Sequence, residues 1–140
     1  MKRASVIAAV VVAAALGGGG AVAASAVDSD AKAKTVKVVL NEWKLIPTPV
    51  RVPAGKVTFV AHNTGKLEHE FVVMRTSLAP DALPMQGNEA KEIGVKGEIA
   101  DIAPGQTKRV TLTLKAGKYV LICNIPGHYM AGQRAAFRVA

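Results

Sequence analysis

Cys123, His128 and Gln133 follow one another at five-residue intervals in the segment Cys123-Asn124-Ile125-Pro126-Gly127-His128-Tyr129-Met130-Ala131-Gly132-Gln133, so one loop carries a thiol, an imidazole and an amide. A Pro-Gly turn between the thiol and the imidazole can fold both donors toward one point. A second imidazole has to come from elsewhere in the fold, and His69 is the natural supplier. Two histidines and one cysteine with a weak, long fourth contact suit copper in both oxidation states and mark electron-transfer sites. A lone cysteine at the end of a strand is most often a small buried hydrophobe; the histidine at this spacing reverses that reading for Cys123. Structural zinc is disfavoured, because it normally takes four strong Cys or His ligands and only three converge here.

These side chains must be held by strands. From Thr35 onward no stretch keeps a helical apolar period, and short apolar runs alternate with turn residues such as Pro53-Ala54-Gly55, Asn63-Thr64-Gly65, Pro104-Gly105 and Ala116-Gly117. The pattern predicts strands at Thr35 to Leu40 continuing toward Leu45, Val50 to Val52, Lys56 to His62, His69 to Arg75, Glu98 to Ile102, Thr107 to Leu114, Gly117 to Cys123 and Ala135 to Val139. Eight such strands predict a single-domain, all-β Greek-key sandwich or barrel. Ser77 to Lys96 reads as a long crossover with one helical turn around Asp81 to Met85. His62 closes a strand before a turn, whereas His69 opens the next one. Met74 and Met85 read as core and loop fillers and Trp43 as half-buried packing.

The amino terminus sets the expected compartment. Met1-Lys2-Arg3 precedes an apolar run from Ala4 to Leu16, and Ala24-Ser25-Ala26 offers a small-residue cleavage site. The expected organisation is an export signal over 1–26, a flexible leader over 27–34 and the β domain over 35–140, on the periplasmic or extracellular side of the cell envelope. No transmembrane segment is expected after cleavage. The whole chain carries 18 Lys and Arg against 10 Asp and Glu, net +8, and losing Lys2 and Arg3 takes this to +6. That excess favours acidic partners. Nucleic acid is excluded as a partner by scattered lysines and a few unclustered aromatics. In an oxidising compartment the single thiol needs a purpose, and a metal supplies one.

The Cys123 to Gln133 motif, the segment Asn63-Thr64-Gly65-Lys66-Leu67-Glu68-His69-Glu70-Phe71 and the strand pattern together resemble the cupredoxins. The resemblance implies one type 1 copper held by His69, Cys123 and His128. It also implies a family spacing of Cys, four residues, His, four residues, axial ligand, as in rusticyanin- and auracyanin-like members, which falls on Gln133. Glutamine in place of methionine is the stellacyanin-like choice, and its harder oxygen would lower the reduction potential. Met130 is the rival axial donor, and Glu70 departs from the Asn or Ser found after the first ligand in relatives. Tyr129, Ile125, Pro126, Met130 and Ala131 would ring His128 as an apolar docking surface. The implied function is single-electron shuttling between extracytoplasmic redox proteins by a monomer that is not an enzyme, with copper storage or delivery as the alternative.

Overall fold

The computed structural model describes residues 32–140. The expected export signal and residues 27–31 of the expected leader lie outside the described residues. The chain runs β1 (Lys34–Asn41), β2 (Lys44–Thr48), β3 (Arg51–Val52), β4 (Gly55–Asn63), β5 (His69–Arg75), β6 (Met85–Gln86), β7 (Glu89–Ala90), β8 (Val95–Ile102), β9 (Thr107–Leu114), β10 (Gly117–Ile122), a single-turn helix α1 (His128–Ala131) and β11 (Arg134–Val139).

Strict alternation in β4 sends Val57, Phe59 and Ala61 inward and leaves Thr58 outside, where its hydroxyl meets that of Thr111 on β9 at 2.8 Å. One sheet has the order β2-β1-β4-β9 and the other β3-β11-β10-β5-β8. The chain crosses between the sheets at β2–β3, β3–β4, β4–β5, β8–β9 and β9–β10, which gives the all-β sandwich the sequence predicts. Phe59 from the first sheet meets Phe71 and Phe137 of the second at ring separations of 5.2 and 5.4 Å, at the centre of the inter-sheet core.

β5 and β10 are buried on both faces. Their second face, Val72, Met74, Val120 and Ile122, is covered by Leu83, Ala90, Met85 and Tyr129 from the crossover and the helix. This explains why these two strands read as continuous apolar runs rather than alternating ones. They are the strands that lead out of His69 and into Cys123, so the site is built on strands buried on both faces.

Three sequence expectations change. The first strand does not continue toward Leu45: the chain reverses at Glu42-Trp43, pairing Asn41 with Lys44 and Leu40 with Leu45, because both leucines belong inside the same core. No helical turn forms over Asp81 to Met85. A single reverse turn, with the Ala82 N–H donating to the Ala79 carbonyl at 3.0 Å, is followed by the β6–β7 hairpin. The Leu83 N–H there goes to the Tyr129 hydroxyl at 3.1 Å instead of to a helical carbonyl. The strand expected from Glu98 begins three residues earlier, at Val95.

Candidate metal centre

His69 opens β5 and Cys123 follows β10, and these strands are adjacent and antiparallel with Val72 opposite Ile122. Sheet pairing alone therefore brings residues 54 apart in sequence to the same end of one sheet. The segment after Cys123 then turns back. Gly127 takes φ 84°, a left-handed conformation that favours glycine, and the next residue, His128, begins α1. The Gln133 N–H donates to the His128 carbonyl at 3.1 Å and the Cys123 N–H to the Gln133 carbonyl at 3.0 Å, which closes the loop.

The result is a tight group. His69 Nδ1 and His128 Nδ1 lie 3.3 Å apart, and Cys123 Sγ lies 3.9 Å from the first and 3.4 Å from the second. His69 and Cys123 are fully buried and His128 is 8% exposed. His62 takes no part: it points outward from β4 with Nδ1 2.8 Å from the Thr107 hydroxyl. Three soft or borderline donors converge, and such a set could hold one copper ion.

The electrostatics of the site follow from its burial. Desolvation pushes the Cys123 thiol up to about 11, although the Glu70 N–H, 3.3 Å from Sγ, and the Ile125 backbone pull the other way. The same N–H is a ready donor to a thiolate once a cation neutralises it. Burial, and then the proximity of His69, lower the His128 pKa, while the neighbouring Gln133 side chain raises it; the neutral imidazole that a metal requires is thus the favoured form.

Gln133 is fully buried, and its Nε2 donates to the Asn41 carbonyl at 2.7 Å. Its Oε1 is a buried oxygen with no hydrogen-bond partner. A desolvated acceptor left unpaired is costly unless something electropositive faces it, so this orphan fits a cation held by the neighbouring His-Cys-His group. Met130 is 61% exposed and turned to solvent.

A family model described as a cupredoxin-like domain matches residues 6–133. The chain belongs to the cupredoxin-like family. It is 34% identical over 108 residues to the copper-resistant cuproprotein CopI of Rubrivivax gelatinosus, covering 75% of this chain and 66% of that protein. It is also 29% identical over 95 residues to the iron uptake system component EfeO of Yersinia pestis, covering 68% of this chain but only 21% of that protein. The chain thus spans just under two thirds of the first relative and about a fifth of the second. In structure it is similar to the dithionite-reduced auracyanin of Roseiflexus castenholzii, with a TM-score of 0.57 at 23% identity over 77% of this chain and 98% of that one. Reduced rusticyanin gives a TM-score of 0.57 at 22% identity over 78% of this chain and 81% of that one. The cupredoxin fold and the His69-Cys123-His128 group thus agree with the resemblance read from the sequence.

Around this centre the cupredoxin chain departs from several expectations. Tyr129 does not join an apolar ring at the surface: it is 3% exposed, and its hydroxyl donates to the Pro80 carbonyl at 2.6 Å. Trp43, expected as half-buried packing, is indeed 41% exposed, but what it packs against is the His128 ring, edge-on at 4.9 Å. Glu70, which takes the place of the Asn or Ser of relatives, is half-buried and its carboxylate accepts the Asn124 N–H at 3.0 Å. Glu42 was not singled out at all, yet its Oε1 lies 2.8 Å from His69 Nε2. No short motif links residues 42 and 69, so only the fold could join them.

Proposed function

We propose that this protein is a mononuclear blue-copper electron carrier, with His69, Cys123 and His128 as the strong ligands and Gln133 Oε1 as the weak axial one. The observation that carries this reading is the pairing of a compact His₂Cys group with an unpartnered, fully buried amide oxygen beside it. When bound, copper supplies a one-electron couple. The chain holds the donor set on two doubly buried strands and a loop closed by its own backbone hydrogen bonds, so that little needs to move when the charge changes.

Electron exchange is favoured over catalysis by the shape of the molecule. The donor group lies within the protein, whereas a cleft of about 650 Å³ is formed by Val50, Leu78, Lys118, Arg138 and their neighbours at the opposite end of β10. We therefore assign no enzymatic activity. Exposed Trp43 and Met130, with the edge of His128, offer a small apolar contact for brief encounters with redox proteins. The positive excess of the chain favours acidic partners, with exchange rates that fall as salt rises. Export to the extracytoplasmic side fits the single unpaired thiol being sequestered by metal.

Copper delivery is the second reading, favoured by the similarity to a protein named for copper resistance. One titration separates the outcomes: Cu(II) is added to the purified protein, and visible absorption, electron paramagnetic resonance and electron exchange are followed. One copper per chain with an intense thiolate-to-copper band and rapid reversible reduction is expected. A colourless complex would overturn the blue-copper assignment. A coloured complex that passes its copper to a chelator faster than it exchanges electrons would favour delivery.

A further inference from the structure

Glu42 sits in the β1–β2 reversal, 27 residues before the first histidine of the donor group, and it makes contacts in two directions. Toward the loop that precedes β5, its carboxylate accepts the Lys66 N–H at 3.0 Å and the Leu67 N–H at 3.0 Å. Toward the donor group, Oε1 meets His69 Nε2 at 2.8 Å. The loop is shaped to receive it. A Cβ at Gly65 would fall inside the Glu42 carboxylate, so the absence of a side chain there is what lets the acid approach. Asn63 stiffens the same loop, donating to the Leu67 and Ile102 carbonyls at 2.7 and 2.8 Å while its own oxygen accepts the Gly65 N–H.

An ionised carboxylate has no proton to give, so His69 Nε2 must carry the hydrogen in this contact. The other ring nitrogen, Nδ1, is then left with its lone pair directed into the group formed with Cys123 and His128. Resting on the copper reading above, we propose that Glu42 is a positioning residue for the metal centre: it locks His69 into the tautomer that presents Nδ1, and its negative charge, one hydrogen bond from a ligand, favours Cu(II) over Cu(I). Outer-shell carboxylates of this kind orient a ligand imidazole and raise its basicity, and their loss typically costs ten- to a hundredfold in metal affinity.

Glu42→Gln keeps an acceptor oxygen for His69 and removes the charge; Glu42→Ala removes both. In the metal-free protein, nitrogen NMR of the His69 ring should report the Nε2–H tautomer in the parent and in Glu42→Gln, and a mixture of tautomers in Glu42→Ala. In the copper form, Glu42→Gln should lower the Cu(II)-to-Cu(I) affinity ratio roughly tenfold, equivalent to a reduction potential about 59 mV higher. Glu68→Gln, which removes an exposed charge next to His69 in sequence, should move the potential far less. A parent tautomer with the proton on Nδ1, or an unchanged His69 tautomer in Glu42→Ala, overturns the positioning role. Equal shifts in Glu42→Gln and Glu68→Gln, or none in either, overturn the charge effect. If the parent takes up no copper, the blue-copper reading fails, while the tautomer result in the metal-free protein still decides whether Glu42 orients His69.

Discussion

On the proposed copper reading, Gln133 is the residue on which the redox poise of the centre turns. Its Nε2 is committed to the Asn41 carbonyl, which leaves Oε1 as the only free end of the amide. An amide oxygen is a harder donor than a thioether and stabilises Cu(II), so Gln133→Met should raise the reduction potential. Met130→Leu should leave it nearly unchanged, because Met130 is exposed. Voltammetry of the two variants checks the ranking, and the reverse order would move the axial role to Met130. Cys123 gives a second expectation, in the metal-free protein. Its thiol pKa is raised by burial from an ordinary value of 9.0 to about 11, so the fold favours the protonated form. That contribution is complete below pH 9 and is lost as the pH rises through 11. Denaturant unfolding of metal-free protein should therefore show a fall of roughly 2–3 kcal/mol across this window that is absent in Cys123→Ser, where no thiol ionises.

At the scale of elements, the crossover between β5 and β8 acts as a cover for the loop that carries Cys123. Asn124 links the two. Its side chain accepts the Ala90 N–H at 2.8 Å and donates to the Ala90 carbonyl at 2.9 Å and to Glu92 at 3.0 Å, so it continues the β6–β7 hairpin as a strand would. The Gly127 N–H adds a bond to the Asn88 carbonyl at 2.9 Å. Asn124→Ala leaves both backbone groups of a 3%-exposed residue without partners, and a cost of about 2–4 kcal/mol is expected in denaturant unfolding. Faster amide exchange over residues 85–92 should accompany it. An unfolding free energy equal to that of the parent would show that the crossover is held by its apolar contacts alone. Glu70 belongs to the same element pair: burial and then the nearby Glu92 raise its pKa, so it accepts the Asn124 N–H from a site where a carboxylate is already disfavoured.

The whole molecule places the donor group where both sheets meet it. His69 and Cys123 belong to one sheet, whereas Asn41 and Glu42, at the end of β1, reach the group from the other through Gln133 and His69. A metal bound there links the sheets at one end of the sandwich, and any ligand that binds only the folded state stabilises it by mass action. Copper at a free concentration a thousandfold above its dissociation constant should contribute about 4 kcal/mol and raise Tm by on the order of 10 °C or more. Calorimetry with and without copper checks this, and an unchanged Tm at saturation would count against a site that joins the sheets.

What the sequence determined by itself was the periodicity and the spacing. Alternation along Val110 to Leu114, turn residues between the runs and the intervals from Cys123 to His128 to Gln133 are properties of neighbouring residues, and each survives into the structure. His69 was legible because it opens a strand, and sheet pairing then carries it to Cys123. Contacts between segments with no shared pattern came from the packing of the two sheets. Trp43 and Glu42 sit in a reversal that the apolar pattern alone ran through, and they reach His128 and His69 only because β1 and β2 fold back over that end of the sandwich. Tyr129 reads as a surface aromatic until the Pro80 carbonyl and the Leu83 N–H give its hydroxyl partners inside. Chain-local chemistry names the candidate donors, whereas the partners that aim them are set by long-range packing, which leaves no interval to read.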